Sequence, residues 1–331
     1  MERFALAAAV VLGFALTAAL CSLFVPLRRV LERREQNQQP AQSEQPRPAP
    51  LRAPLWGGLC AAAGTVAAVG VGWLAACVGQ PELLGSEGRL MTRLLTALAG
   101  SLAFGAVGLA EDLARMRSPA ALGLRRDVRL LLEALAAAFV LLLLQAAGCL
   151  PRGLDVPGAG YVLLGSAVPF LWAVLMVALA ECARIAERDE GTVCGAAFVA
   201  MLALMMAEAG LGVPGLAVLP AALAGALVAL LLWAFPPARL GVGRCGSLLA
   251  AGAIGCIPLS LDMTSLTVPL ALPFWAAGGL WAAQLLGAKR TGKPLRCWVK
   301  KHKMSPETVF LCSFALSAVG YVLALALLRW C

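Results

Sequence analysis

Apolar runs, most of them about twenty residues long, recur from one end of the chain to the other, and short basic segments separate them. As a helix, a run of that length can cross the hydrocarbon core of a bilayer. The runs cover 4–25, 56–78, 94–110, 130–148, 160–180, 193–211, 214–234, 246–262, 266–288 and 307–328. Lipid offers no water to backbone N–H and C=O groups, so such a chain must fold as helices or as a closed barrel. Barrel strands alternate apolar and polar residues, and these runs do not. The expected fold is therefore an all-α integral membrane domain over 1–331, with about ten transmembrane helices.

Composition agrees. Hydrophobic residues make up 61% and charged residues 14% of the 331, too few to give a soluble protein of this size a polar surface. The apolar content is mostly Ala, Leu, Val and Gly, and the small residues let helices approach closely. The eleven Cys show no paired metal-type spacing and read as small buried hydrophobes. The net charge of +9 does not point to nucleic acid, because the basic residues fall in short loops. Loops 26–55, 111–129, 181–192, 235–245 and 289–306 hold 22 of the 27 Lys and Arg. The positive-inside rule puts these loops in the cytoplasm and both termini outside. The first run is followed by Arg28, Arg29, Arg33 and Arg34 and reads as a retained span, not a cleaved signal. Residues 36–50, rich in Gln and Pro, read as a flexible cytoplasmic linker.

The acids fall on the same side as the bases. Glu111 and Asp112 are expected to end the third span, and Glu181, Glu187, Asp189 and Glu190 follow the fifth. Charge at a membrane boundary marks a functional site unless it is simply a solvated loop charge balancing arginine. Glu187 and Glu190, three apart, would share one face of a helical turn. Pro236, Pro237, Gly241, Gly243 and Gly246 form a Gly-rich approach to the eighth span, a weak signal for a phosphate cradle. The last basic loop, Lys289 to Lys303 with His302 inside it, suits topology and anionic lipid headgroups.

Taken in order, these segments resemble the phospho-N-acetylmuramoyl-pentapeptide transferase family and its polyprenyl-phosphate sugar-1-phosphate transferase relatives. Ala53-Pro54-Leu55-Trp56-Gly57-Gly58 is similar to that family's Thr-Pro-Thr-Met-Gly-Gly. Glu111-Asp112 sits where the family has an Asp pair, and Arg129 replaces its Lys. Glu181 to Gly191 resembles the Asn-rich, Asp-Gly-x-Asp-Gly segment. Val242-Gly243-Arg244-Cys245-Gly246-Ser247 resembles Met-Gly-Asp-Thr-Gly-Ser, and Lys293, Arg296 and His302 lie where the family has a His cluster. The order, spacing and sidedness of these matches carry the resemblance.

The resemblance implies a helical bundle in the bacterial inner membrane with a cytoplasmic-facing cleft. It implies transfer of a phospho-sugar from a uridine nucleotide to undecaprenyl phosphate, in cell-wall lipid synthesis, with Mg2+ held by carboxylates. A homodimer is compatible with it. Carried over residue by residue, it puts Asp112, Glu111, Glu187, Glu190 and Arg129 in catalytic positions. Glu181, Arg184, Gly243, Gly246, Ser247 and His302 fall in substrate-binding positions, and Asp112 and Glu187 would be the ligands if any metal is held. The departures are as informative. Glu181, Arg184 and Arg188 replace two Asn and a Gly, and Arg244 stands where the family has a metal-ligand Asp. Asp to Glu preserves ligation with a longer reach, whereas a guanidinium is a cation and no ligand. The expected function is a transferase of this type with weakened or lost activity. The alternative is a non-catalytic homologue that binds a polyprenyl lipid or a membrane partner. An unrelated transporter is a third reading, disfavoured because no repeated half is evident.

Overall fold

A computed structural model of the protein describes residues 2–38, 56–79, 88–117, 123–151, 153–156, 160–163, 165, 167–187, 191–212, 215–235, 238–286 and 305–328. Long helices dominate: α1 (Glu2–Gln38), α2 (Gly57–Gly79), α3 (Gly88–Arg117), α4 (Arg126–Ala146), α5 (Ala167–Ala186), α6 (Thr192–Gly210), α7 (Val218–Ala234) and α8 (Gly243–Ser260). A 3-10 turn (Thr264–Leu266) leads to α9 (Thr267–Leu270), α10 (Leu272–Leu286) and α11 (Pro306–Leu328). The chain is thus a helical, multi-pass membrane protein. Among the described residues six helices are long and apolar enough to cross a membrane, or seven if the bent pair α9–α10 is one span.

The core is built around α7 and α8, whose residues are buried nearly all round. The other helices have an apolar face left over for lipid, as a membrane permits. Helix α3 packs along α8, and α1 packs along α7 and α2. Glycines make these contacts backbone-close. A Cβ on Gly13 would lie 2.3 Å from the Ala222 carbonyl oxygen, and one on Gly225 would lie 2.1 Å from that of Val10. Each helix of the α1–α7 pair therefore gives up a side chain where the other's backbone passes.

Several expectations need correcting. The span placed at 160–180 begins instead at Ala167, because Gly153–Val156 (β1) and Gly160–Leu163 (β2) pair as a short antiparallel hairpin before it in an otherwise helical fold. The span placed at 266–288 is broken, with a bend of 63° between Thr264–Leu270 and Leu272–Ala283. Pro273 has no N–H to give the Pro269 carbonyl, and that carbonyl faces Gly320 of α11, where a Cβ would lie 2.2 Å from its oxygen. Helix α3 does not end at Glu111 and Asp112. It continues to Arg117, which embeds both acids in the helix. The linker placed at 36–50 begins as helix, since α1 runs to Gln38, and its residues 39–50 lie outside the described residues.

Candidate functional site

Five helix ends meet at one end of the bundle: the C-terminal turns of α3 and α5 and the starts of α2, α4 and α8. Backbone contacts place the α8 entry. Gly57 N–H donates to the Gly241 carbonyl at 3.3 Å and Gly58 N–H to that of Val242 at 2.9 Å. The approach is so close that a Cβ on Gly58 would lie 2.0 Å from the Gly246 nitrogen. From the other side, a Cβ on Gly108 of α3 would lie 2.2 Å from the Arg244 carbonyl oxygen. Gly243 turns the chain into α8 with φ of +71°, in the left-handed region that favours glycine.

This packing sets residues 244–247 against Glu111 and Asp112. The Cys245 N–H donates to Asp112 Oδ2 at 3.0 Å, so a carboxylate from α3 satisfies a first-turn amide of α8 and sits at the positive end of its dipole. Arg244 points the other way. Its Nη1 pairs with Glu187 Oε2 and donates to the Arg184 carbonyl in the last turn of α5, and its Nε lies 3.7 Å from Glu111 Oε1. Arg115 Nη2 donates to the same Glu111 oxygen at 2.9 Å. One side chain thus ties together α3, α8 and the end of α5. It is 5% exposed, so these acceptors stand in for water.

A second cluster adjoins the first across α4 and α5. Arg129 Nε donates to Glu181 Oε1 at 2.9 Å and lies 3.9 Å from Glu133 Oε1, while Arg184 pairs with the other Glu181 oxygen. Of the residues singled out in the sequence, Glu111, Asp112, Arg129, Glu181, Arg184, Glu187 and Arg244 belong to these two clusters. Gly243, Gly246 and Ser247 are buried at the start of α8, where Gly246 meets Gly58 of α2 and the Ser247 hydroxyl donates to the Arg244 carbonyl at 3.1 Å. Glu190, Arg188 and His302 lie outside the described residues. Sequence reading gave no role to Arg115 or Glu133. The signal was there in both, as opposite charges four apart at Glu111/Arg115 and Arg129/Glu133.

Residues 94–262, about half the chain, match the sequence model of glycosyl transferase family 4. The chain belongs to this family. Its two charge clusters and the α8 entry all lie within the matched stretch. Relatives include the phospho-N-acetylmuramoyl-pentapeptide-transferase of Mycobacterium tuberculosis, 28% identical over 265 residues that cover 72% of each chain. The enzyme of the same name from Desulforudis audaxviator is 32% identical over 170 residues, 48% of this chain and 50% of that one. That of a Synechococcus strain is 30% identical over 212 residues, 63% and 55% of the two chains.

The family implies a divalent cation, and the donor set here does not fit one. Among the described residues no three ligand-type side chains converge on a metal position. Glu111 and Glu187 are turned onto a guanidinium, and one Asp112 oxygen accepts a backbone N–H. In the first cluster the buried carboxylate oxygens without a hydrogen bond, Glu111 Oε2 and Asp112 Oδ1, sit on adjacent residues of one helix, which do not face the same way, and both Glu133 oxygens, also without one, lie in the second cluster beside Arg129.

Proposed function

We propose that this family member has the polytopic bundle of a polyprenyl-phosphate phospho-sugar transferase, with transfer weakened or lost. The observation that carries the reading is the pairing of Arg244 with Glu187 and Glu111, at the position where the resembled pattern has a metal-ligand aspartate. Phosphoryl transfer needs positive charge that can gather donor and acceptor phosphates and follow the charge developing between them. A guanidinium already engaged with two carboxylates and a helix carbonyl is poorly placed to do that. Undecaprenyl phosphate and a uridine-nucleotide sugar remain the proposed ligands. Arg129, Arg184, Glu181 and His302 are the proposed contacts to them, in a cleft open to the cytoplasm. In this reading Asp112 is the acid closest to a catalytic role, and its bond to Cys245 N–H holds it to the start of α8. A homodimer in the bacterial inner membrane, with both termini outside, completes the proposal.

The test is isotope exchange between uridine monophosphate and a polyprenyl-linked sugar phosphate, with purified protein in Mg2+ or in chelator. Exchange at the background rate in both conditions is expected. Exchange that needs Mg2+ would overturn the proposal.

A further inference from the structure

Around residue 244 the structure places three carboxylates, and the cation that reaches two of them, Arg244 itself, is covalent. Glu111 and Glu187 reach the guanidinium of Arg244, and Asp112 reaches the backbone N–H next to it. Carboxylates brought this close raise each other's energy unless a proton or a cation lies among them. Arg115 offsets part of the charge on Glu111 from the side. The space on the Glu187 side is filled by Arg244, whose position is fixed by backbone contacts on two faces, through Gly58–Gly246 and Gly108–Arg244. A guanidinium with five donors in a rigid fork can bridge several acceptors at once, which a point-charge ammonium cannot do as well.

We infer that Arg244 is a built-in replacement for a divalent cation, holding α3, α5 and α8 together, and that exchanging it for Asp turns Glu111 and Glu187, the two acids it now holds, into a divalent-cation site. The inference deepens the proposed function and rests on the same pairing, but its test does not depend on turnover. Removing the fixed charge leaves acidic oxygens facing a gap, and Mg2+ and Mn2+ favour such oxygen donors. An Asp at the position adds another ligand.

The experiment is Mn2+ titration of purified full-length protein, read by the loss of the free-ion EPR signal, together with thermal melts in Mg2+ and in chelator. The wild-type protein should bind no Mn2+ that Glu187→Gln removes, and its melt should be the same in Mg2+ and in chelator. Arg244→Asp should bind one Mn2+ per chain, at least about tenfold more tightly than wild type, because a nearby like charge has gone. Its melt should fall in chelator and recover in Mg2+. Arg244→Lys, which keeps a cation, should bind no Mn2+. An Arg244→Asp protein that binds no Mn2+ and melts like wild type would overturn the inference. So would wild-type Mn2+ binding that is lost in Glu187→Gln, an arm that decides the matter even where Arg244→Asp does not fold. Mg2+-dependent exchange by the wild-type protein removes the proposed function instead, whichever way the Mn2+ titration of Arg244→Asp falls.

Discussion

A nearly buried guanidinium must find partners within the protein, and Arg244 takes them from two segments, the end of α5 through Arg184 and Glu187 and α3 through Glu111. Cutting such a pair from one side leaves the other charge desolvated and alone, which costs more than the intact pair contributes. We therefore expect Arg244→Ala and Glu187→Ala each to be strongly destabilising, by about 3–5 kcal/mol for Arg244→Ala. The double variant should cost less than the sum, with a coupling energy of about 1–3 kcal/mol from a double-mutant cycle in detergent. Strict additivity would show that the two side chains do not act on each other. The sequence marked Arg244 as an arginine where the resembled pattern has a metal-ligand acid, and the structure pairs it with Glu187 and Glu111. Its hold on the Arg184 carbonyl was not legible, because a backbone acceptor carries no residue-type signal.

At the scale of elements, the apolar runs located the helices and missed what interrupts them. A short apolar stretch such as Tyr161–Leu163 suits a strand as well as a helix, and a hydropathy window cannot separate the two. The turn signal just before it, Pro157-Gly158-Ala159-Gly160, was the cue for a hairpin. Likewise Pro269 and Pro273 in one run marked the break between α9 and α10. The length of α3 was obscured because Glu111, Asp112 and Arg115 look like the end of a span, whereas their partners allow the helix to continue. Glycines on one helix can differ sharply in role, and α2 offers a test. A Cβ at Gly58 would strike the Gly246 backbone at 2.0 Å, whereas one at Gly70 meets nothing within 4 Å. Gly58→Ala should push α2 off the α8 entry and lower stability by about 1–3 kcal/mol or more. Gly70→Ala should be neutral, or stabilising by roughly 0.5–1 kcal/mol through helix propensity. Equal melting temperatures for the two variants would contradict this assignment of the α2–α8 contact.

At the scale of the whole molecule, charge and helix polarity agree. The ends of α3 and α5 and the starts of α4 and α8 lie together, and the sequence segments at these ends, 111–129, 181–192 and 235–245, carry 9 of the 27 Lys and Arg. If that end faces the cytoplasm, as Lys and Arg placement implies, a cysteine at Arg126 and one at Lys301 will react with an impermeant thiol reagent from the same side of sealed vesicles. A cysteine at Arg93 will react from the opposite side, in a background with Cys297, Cys312 and Cys331 replaced by Ser. Opposite labelling of positions 126 and 301 would rule that topology out. Family membership settles the kind of protein, and the charge pattern at the α8 entry bears on whether it still transfers. Isotope exchange measures that directly: labelled uridine monophosphate, a polyprenyl-linked sugar phosphate, the purified wild-type chain, and Mg2+ or chelator. The account predicts the same background rate in both, because Arg244 already occupies the cation's place. Exchange that rises at least about tenfold in Mg2+, and that Glu187→Gln abolishes, would contradict it.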